Sequence, residues 1–232
     1  MKISIAIPTY EMSDRGVECL DYNFKKIHQQ TFKDFNVIIS DHSKDDKIFH
    51  LCNMWGKKLN IKYIKNEKDR GSLSSNLNSC IKNCSGEIIK FIMQDDYFYH
   101  KNSLEKIVNR FGIGKRWLVS SYFHTNDRIK LFRLHIPEIS KDMLLINRIG
   151  TPTCLTIKNN IDIKFDLKLN WYVDSDYYTQ LYKTYGKPVI LRDPTAVQLL
   201  WEGQTTNTII NEKIIKNEEI YLMKKYGAYR NG

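Results

Sequence analysis

The chain has 232 residues, 42% hydrophobic and 27% charged, the proportions of a folded domain and far from the apolar depletion of a disordered chain. Lys and Arg number 36 against 26 Asp and Glu, and the formal net charge of +10 favours an anionic partner: a nucleotide, a nucleic acid or an acidic membrane surface. No run approaches the ~20 apolar residues of a membrane span, Pro8 and Glu11 interrupt the start before a signal-peptide core could form, and five scattered cysteines without a neighbouring His read as reduced thiols, not a zinc site.

Residues 3–7, rich in Ile, predict a buried strand closed by Pro8-Thr9, because proline brings no N–H to a ladder. Helical spacing follows at 16–30, a strand at 37–40, a helix at 45–59 and a shorter strand at 61–64. Residues 72–84 predict a helix that Ser72 can cap and Ser85-Gly86 ends, and 88–93 a strand running into Gln94-Asp95-Asp96. This alternation argues for βαβ units, hence an α/β fold with a mostly parallel sheet flanked by helices. Beyond about residue 115 the alternation weakens. Strands are expected at 117–122, 129–134 and 154–157, a helix at 174–185 with Asp174 as N-cap and Gly186 past its end, and an amphipathic helix at 208–226. With no repeat and no Pro/Gly linker, the chain reads as one domain in two functional halves, 1–115 and 116–232.

Open α/β sheets bind ligands beyond the carboxyl ends of their strands, and three polar ends meet there: residues 8–11, 40–43 and 94–96. Adjacent strand residues point to opposite faces, so Asp95 and Asp96 can serve one ligand only where the strand has ended and the chain turns, and they stand at such a place. One acid could hold a hard divalent cation, Mg²⁺ or Mn²⁺, and the other a ribose hydroxyl; a plain turn or helix start is the alternative, since Asp favours both. Asp41 closes the second strand, as a turn residue or as an acceptor for the N–H of a uracil-like base, which Thr9, Tyr10 and Glu11 could frame. Arg70, before the helix that Ser72 caps, could offer positive potential to a diphosphate or stand solvated in its loop. Asp174 and Asp176 open a helix, where acids suit the first turn; facing the crevice, one of them could act as general base toward a hydroxyl.

Taken together these segments resemble the family 2 glycosyltransferases of GT-A fold, in particular bacterial enzymes that build O-antigens and other surface polysaccharides, over nearly the whole chain. Ile5-Ala-Ile-Pro-Thr-Tyr-Glu11 is similar to the family's first strand and base-binding loop, which implies nucleotide contacts for Pro8, Thr9, Tyr10 and Glu11. The segment from Gln30 to Ser43 resembles the second strand with its uracil-contacting Asp, here Asp41, and that from Asn66 to Asn76 the stretch bearing on the nucleotide through Arg70 and Asn76. Gln94-Asp95-Asp96 matches the DXD region, with Gln94 replacing the first acid of many members; by position Asp95 would meet the ribose and Asp96 the metal, Mn²⁺ or Mg²⁺. The segment from Trp171 to Tyr177 resembles the one supplying the catalytic base, Asp174, with Asp176 as the fallback, and Trp201 stands where many relatives place a metal-holding His.

The resemblance implies an inverting enzyme that moves a sugar from a nucleotide donor, UDP-linked, to a hydroxyl of a lipid-linked glycan in surface polysaccharide synthesis. A cytoplasmic location with peripheral contact to an acidic inner membrane surface suits that role and the positive charge. A sugar-nucleotide-synthesising nucleotidyltransferase is the alternative enzyme class, though the glycine-rich triphosphate loop it needs is replaced by Pro8-Thr9-Tyr10-Glu11. A basic nucleic-acid binder is the non-enzyme alternative, and no arginine-rich arm or RNA-binding signature accompanies the charge.

Overall fold

The computed structural model describes residues 1–112, 114–204 and 210–227. Its first half is a run of strand and helix: β1 (Ile3–Thr9), α1 (Gly16–His28), β2 (Phe35–Asp41), α2 (Lys47–Trp55), β3 (Ile61–Lys65), α3 (Leu73–Asn83) and β4 (Ile88–Phe91). Strands β3, β2, β1 and β4 lie side by side in that order, all parallel. Their carboxyl ends therefore open on one edge.

The strand alternation serves two cores. Ile3, Ile5 and Ile7 of β1, with Val37 and Ile39 of β2, pack against Leu20, Phe24 and Ile27 of α1 and against Ile48 and Leu51 of α2. Ala6, Ile89 and Phe91 face the opposite layer, where Leu77 and Cys80 of α3 meet Tyr177, Tyr178 and Leu181. Each fully buried aliphatic side chain of this kind contributes roughly 1.5–3 kcal/mol, so both faces must be covered. β1 runs two residues beyond the expected 3–7, through Pro8. The carbonyl of Ala6 accepts from Ile92 N and that of Thr9 from His42 N. Pro8 therefore turns toward the β4 side, where β4 has already ended at Phe91 and no ladder partner is missed.

The second half supplies β5 (Tyr97–Phe98), α4 (Ser103–Arg110), β6 (Trp117–Thr125), β7 (Leu131–His135), a 3₁₀ turn (Pro152–Cys154), β8 (Leu155–Lys158), α5 (Val173–Tyr185), β9 (Val189–Leu199) and α6 (Glu212–Tyr226). β8 inserts antiparallel between β4 and β6, β6 pairs parallel with β9, and β9 pairs with β5. β7 adds antiparallel to β6. The nine strands found among the described residues form one mixed sheet, ordered β3-β2-β1-β4-β8-β6-β9-β5 with β7 beside β6.

Two expectations need correction. The sequence reading has no strand at 189–199, because Arg192-Asp193-Pro194 breaks the apolar run; the structure absorbs this interruption as a bulge, the register with β6 jumping from Ser120–Leu191 to Ser121–Pro194. The N-cap of α5 is Tyr172, with no side-chain cap bond, and Asp174 sits inside the first turn. Gly186 does follow that helix, at φ +74°. The expected helix at 208–226 is described from Glu212 onward; 205–209 lie outside the described residues.

Candidate active site

The ends of β1 and β2 are tied by Asp41. Its carboxylate is buried; Oδ1 accepts from Thr9 Oγ1 at 3.1 Å, Ser43 N at 2.9 Å and Ser43 Oγ at 2.6 Å, and Oδ2 accepts from Tyr63 Oη at 2.8 Å. Asp41 thus organises the pocket wall and keeps acceptor capacity on Oδ2 alone. Tyr63, which the sequence reading passed over as an ordinary strand residue, is its partner and packs its ring 5.2 Å from that of Phe49.

Gln94 joins β1 to β4. Its Oε1 accepts from Tyr10 N at 2.9 Å, and its Nε2 donates to Tyr10 O at 3.0 Å and Gly16 O at 2.8 Å. A Cβ on Gly16 would lie 2.4 Å from Tyr10 O and 2.9 Å from Gln94 Nε2, so only glycine lets α1 begin this close to the strand ends. Tyr10 is 38% exposed on the rim, and the Glu11 carboxylate accepts from Lys44 N, linking the first loop to the second.

On the far side, Asn76 of α3 is buried and donates to Thr9 O at 3.0 Å. This expected nucleotide contact is a brace for β1. His42 closes the same network, with Nε2 2.9 Å from Asn66 Nδ2 and Nδ1 accepting from Gly71 N; burial lowers its pKa. Ser72 caps α3 through Ser75 N, as its position implied. Arg70 stays exposed beside this helix start, with only a 3.9 Å ion pair to Glu67.

The two acids after β4 follow its end at a turn and find different partners. Asp96 is buried; its Oδ1 accepts from Leu199 N at 3.1 Å and its Oδ2 from Thr153 Oγ1. Asp95 is half-buried, and its Oδ2 accepts from Trp201 Nε1 at 3.0 Å and Gln204 Nε2 at 3.4 Å. The guanidinium of Arg15 lies 4.6 Å from the Trp201 ring centre. Burial raises both acids above the ordinary carboxylate range, and the charge of Asp95 pushes Asp96 further. Asp95 is the more exposed of the two, and Asp96 is hydrogen-bonded to the backbone of β9 and to Thr153. Behind them Lys90, fully buried in β4, donates to Thr153 O, and burial brings its pKa down to about 8.

Among the described residues no cluster of three or more His, Cys, Asp or Glu stands ready to hold a metal ion. A hard cation fits on other terms: Asp95 offers carboxylate oxygen at the open end of β4, and Mg²⁺ or Mn²⁺ is commonly held by one or two carboxylates with substrate phosphates completing the shell.

Asp174 meets this edge from α5. Its Oδ1 is buried without a hydrogen-bond partner, and burial raises its pKa to about 7. A chain of contacts leads to it from the acids: Thr153 holds Asp96, the adjoining Cys154 Sγ is 3.7 Å from Tyr178 Oη, and Tyr178 lies one turn after Asp174 on α5. Tyr122 of β6 feels the charges of both Asp96 and Asp174, which with burial raise its pKa. Asp176 is differently placed: it is buried and bound by Lys225 Nζ at 2.7 and 2.9 Å, Tyr226 Oη at 2.7 Å and Gln180 Nε2 at 2.8 Å. It is consumed in holding α6.

A family model, Glycosyl transferase family 2, matches residues 4–178. The chain belongs to that family. It is 30% identical over 208 residues to the poly(ribitol-phosphate) beta-glucosyltransferase of Bacillus spizizenii, covering 77% of this chain and 32% of that one. It is 33% identical over 96 residues to the GalNAc(5)-diNAcBac-PP-undecaprenol beta-1,3-glucosyltransferase of Campylobacter jejuni, covering 41% and 30%. The chain spans at most about a third of the length of the first curated relatives it matches, 16% of one and 32% of another. Among solved structures, the 1–349 fragment of S. aureus TarS in complex with UDP-GlcNAc superposes with a TM-score of 0.70 at 20% identity, covering 91% of this chain and 62% of that one. The fold is GT-A.

Proposed function

We propose that this chain is an inverting glycosyltransferase that moves a sugar from a UDP-linked donor to a hydroxyl of a glycan acceptor in bacterial surface polysaccharide synthesis. The observation that carries this is Asp174, a half-buried carboxylate with one buried, unpartnered oxygen and a pKa raised to about 7, set across Thr153 and Cys154 from the acids at the end of β4. A base that is half ionised near neutrality both holds and releases a proton readily.

In this reading the base of the nucleotide lies against Tyr10 and the free capacity of Asp41 Oδ2, the diphosphate lies toward Arg70 and the start of α3, and Asp95 takes the cation. A bound Mn²⁺ or Mg²⁺ would stabilise the negative charge gathering on the departing diphosphate. The Asp174 carboxylate accepts the proton of the acceptor hydroxyl as the hydroxyl oxygen attacks the anomeric carbon; the bond to the diphosphate breaks in the same displacement, and the configuration inverts. Asp96 and Lys90 do not touch substrate. They fix Thr153 and β9 behind Asp95.

The acceptor is a lipid-linked glycan on this proposal. The relative acting on an undecaprenol-linked substrate supports that class, and the +10 charge suits both a pyrophosphate linker and an acidic membrane surface. No helix among the described residues is long and apolar enough to cross a membrane, so contact would be peripheral, and flotation with anionic liposomes tests it. Calorimetry with UDP, GDP, TDP and CMP, each with and without Mn²⁺, tests the donor class: UDP should bind, and more tightly with the cation. Absence of heat with all four would reject the nucleotide site.

A further inference from the structure

The helix that carries Asp174 does not cap itself. Tyr172 occupies the N-cap position and makes no side-chain cap bond, although the first N–H groups of a helix need acceptors. What α6 holds is the segment that leads into the helix. Glu218, 5% exposed, takes Asn170 N at 2.7 Å and Asn170 Nδ2 at 3.4 Å on Oε1, and Trp171 N at 3.0 Å and Tyr172 N at 3.1 Å on Oε2. A carboxylate this deeply buried is tolerated only when its oxygens are filled, and here four donors fill them at the positive end of a helix dipole.

α6 grips α5 a second time at Asp176, through Lys225 and Tyr226. Tyr172 Oη adds a bond to Glu219 at 2.8 Å. Asp174 lies between the two attachments and has no anchor on Oδ1. Its orientation therefore depends on how the chain enters the first turn, and residues 170–172, which lead into that turn, are held by Glu218. The groups that face it are Tyr122 from β6, Cys154 from the turn before β8 and Tyr178 from α5 itself. Burial keeps the Cys154 thiol up at about 12 and raises both tyrosines, so all three are neutral where Asp174 titrates. The nearby Asp176 is neutralised by Lys225.

We infer that Glu218 is a positioning residue for the transfer reaction: by holding from α6 the backbone N–H groups of residues 170–172 it fixes the entry of α5 and keeps the carboxylate of Asp174 aimed at the acceptor hydroxyl. The inference rests on the reading of Asp174 as the base. Nothing in a strand or helix pattern announces it, because Glu218 sits in a Lys/Glu-rich amphipathic stretch where an acid is usually a solvated surface residue.

The test compares Glu218→Gln, Asp174→Asn and, as a control on the same helix, Tyr221→Phe, which removes only the bond to Asp166. Glu218→Gln turns one acceptor into a donor against the N–H groups of residues 170–172. The Asp174 carboxyl is followed by ¹³C NMR titration, its signal assigned by its loss in Asp174→Asn, alongside kcat for transfer from a UDP-sugar and Kd for UDP with Mn²⁺. Glu218→Gln should loosen the first turn, admit water and move the Asp174 titration down by a unit or more. It should lower kcat by about 10 to 100-fold, the scale of a small misplacement of a reacting group, with Kd for UDP within twofold. Tyr221→Phe should leave the titration and kcat in place even if it melts earlier. A folded Glu218→Gln protein with an unmoved Asp174 titration, or with wild-type kcat, overturns the inference. If Glu218→Gln does not fold, Glu218→Asp, which keeps two acceptor oxygens on a shorter stem, is judged by the same criteria and should give a smaller shift in the same direction. An Asp174→Asn protein of undiminished rate would instead remove the base reading, while the titration still decides whether Glu218 sets the surroundings of that carboxyl.

Discussion

Replacing Asp174 by asparagine should abolish turnover and strengthen the fold. Burial raises this carboxyl from 3.8 to about 7, and such a rise corresponds to about 4 kcal/mol between its two protonation states. The folded form holds a proton that the unfolded chain has already released between those values, so stability declines as pH climbs through this window and the full loss is reached above pH 7. Asparagine is isosteric, carries no charge and avoids the loss. Because Asp174 is only half-buried, solvent screening trims the figure, and an advantage of about 2 to 4 kcal/mol over wild type is expected at pH 8, falling to less than half of that at pH 5. Urea unfolding at the two pH values measures it; sugar transfer, followed by UDP release, should fall by at least 10³-fold, or about 4 kcal/mol of barrier. Equal stabilities of the two proteins at pH 8, or a rate within tenfold of wild type, would refute the reasoning.

The same carboxyl sets the pH response of the wild-type enzyme, whose kcat should rise with pH through about 7 and then level, read from a pH–rate profile. Gln94→Ala removes three hydrogen bonds of a buried side chain and should cost about 3 kcal/mol in denaturant unfolding, with weaker UDP binding as the loop after β1 loosens. Asp95→Asn should erase the Mn²⁺-dependent gain in UDP affinity while leaving metal-free binding within threefold, as calorimetry would show. Gly150→Ala places a Cβ 2.4 Å from Tyr122 Oη at φ +110°, a strained position beside the Asp174 pocket, and should lower the thermal midpoint by several degrees.

The parallel half of the fold was legible because its signals are local. Ile-rich runs, Ser72 as cap and Gly186 past α5 each announce their own conformation, and the carboxyl ends of β1, β2 and β4 then meet by topology alone. Strand β9 was not legible, since its pairing tolerates Pro194 only through a bulge set by β6. In the site, residue type pointed to Asp41, Asp95, Asp96 and Asp174, but division of labour depends on what lies behind each one. Asp96 looks equivalent to Asp95 until Thr153 and Leu199, 57 and 103 residues away, claim its oxygens. Asp176 is separated from Asp174 only by Lys225 and Tyr226. The tie that Gln94 makes to the loop after β1, and Glu218 altogether, were not legible for the same reason, because their partners are backbone groups distant in sequence.

The antiparallel strand β8 has a consequence for how donor and acceptor meet. By lying between β4 and β6 it stitches both halves into one hydrogen-bonded fabric. The spacing between the donor's cradle and the proton acceptor is thereby built in during folding, like a fixed gauge. Discrimination between acceptors then falls to the rim, where the loops decide which hydroxyl can reach across that gap.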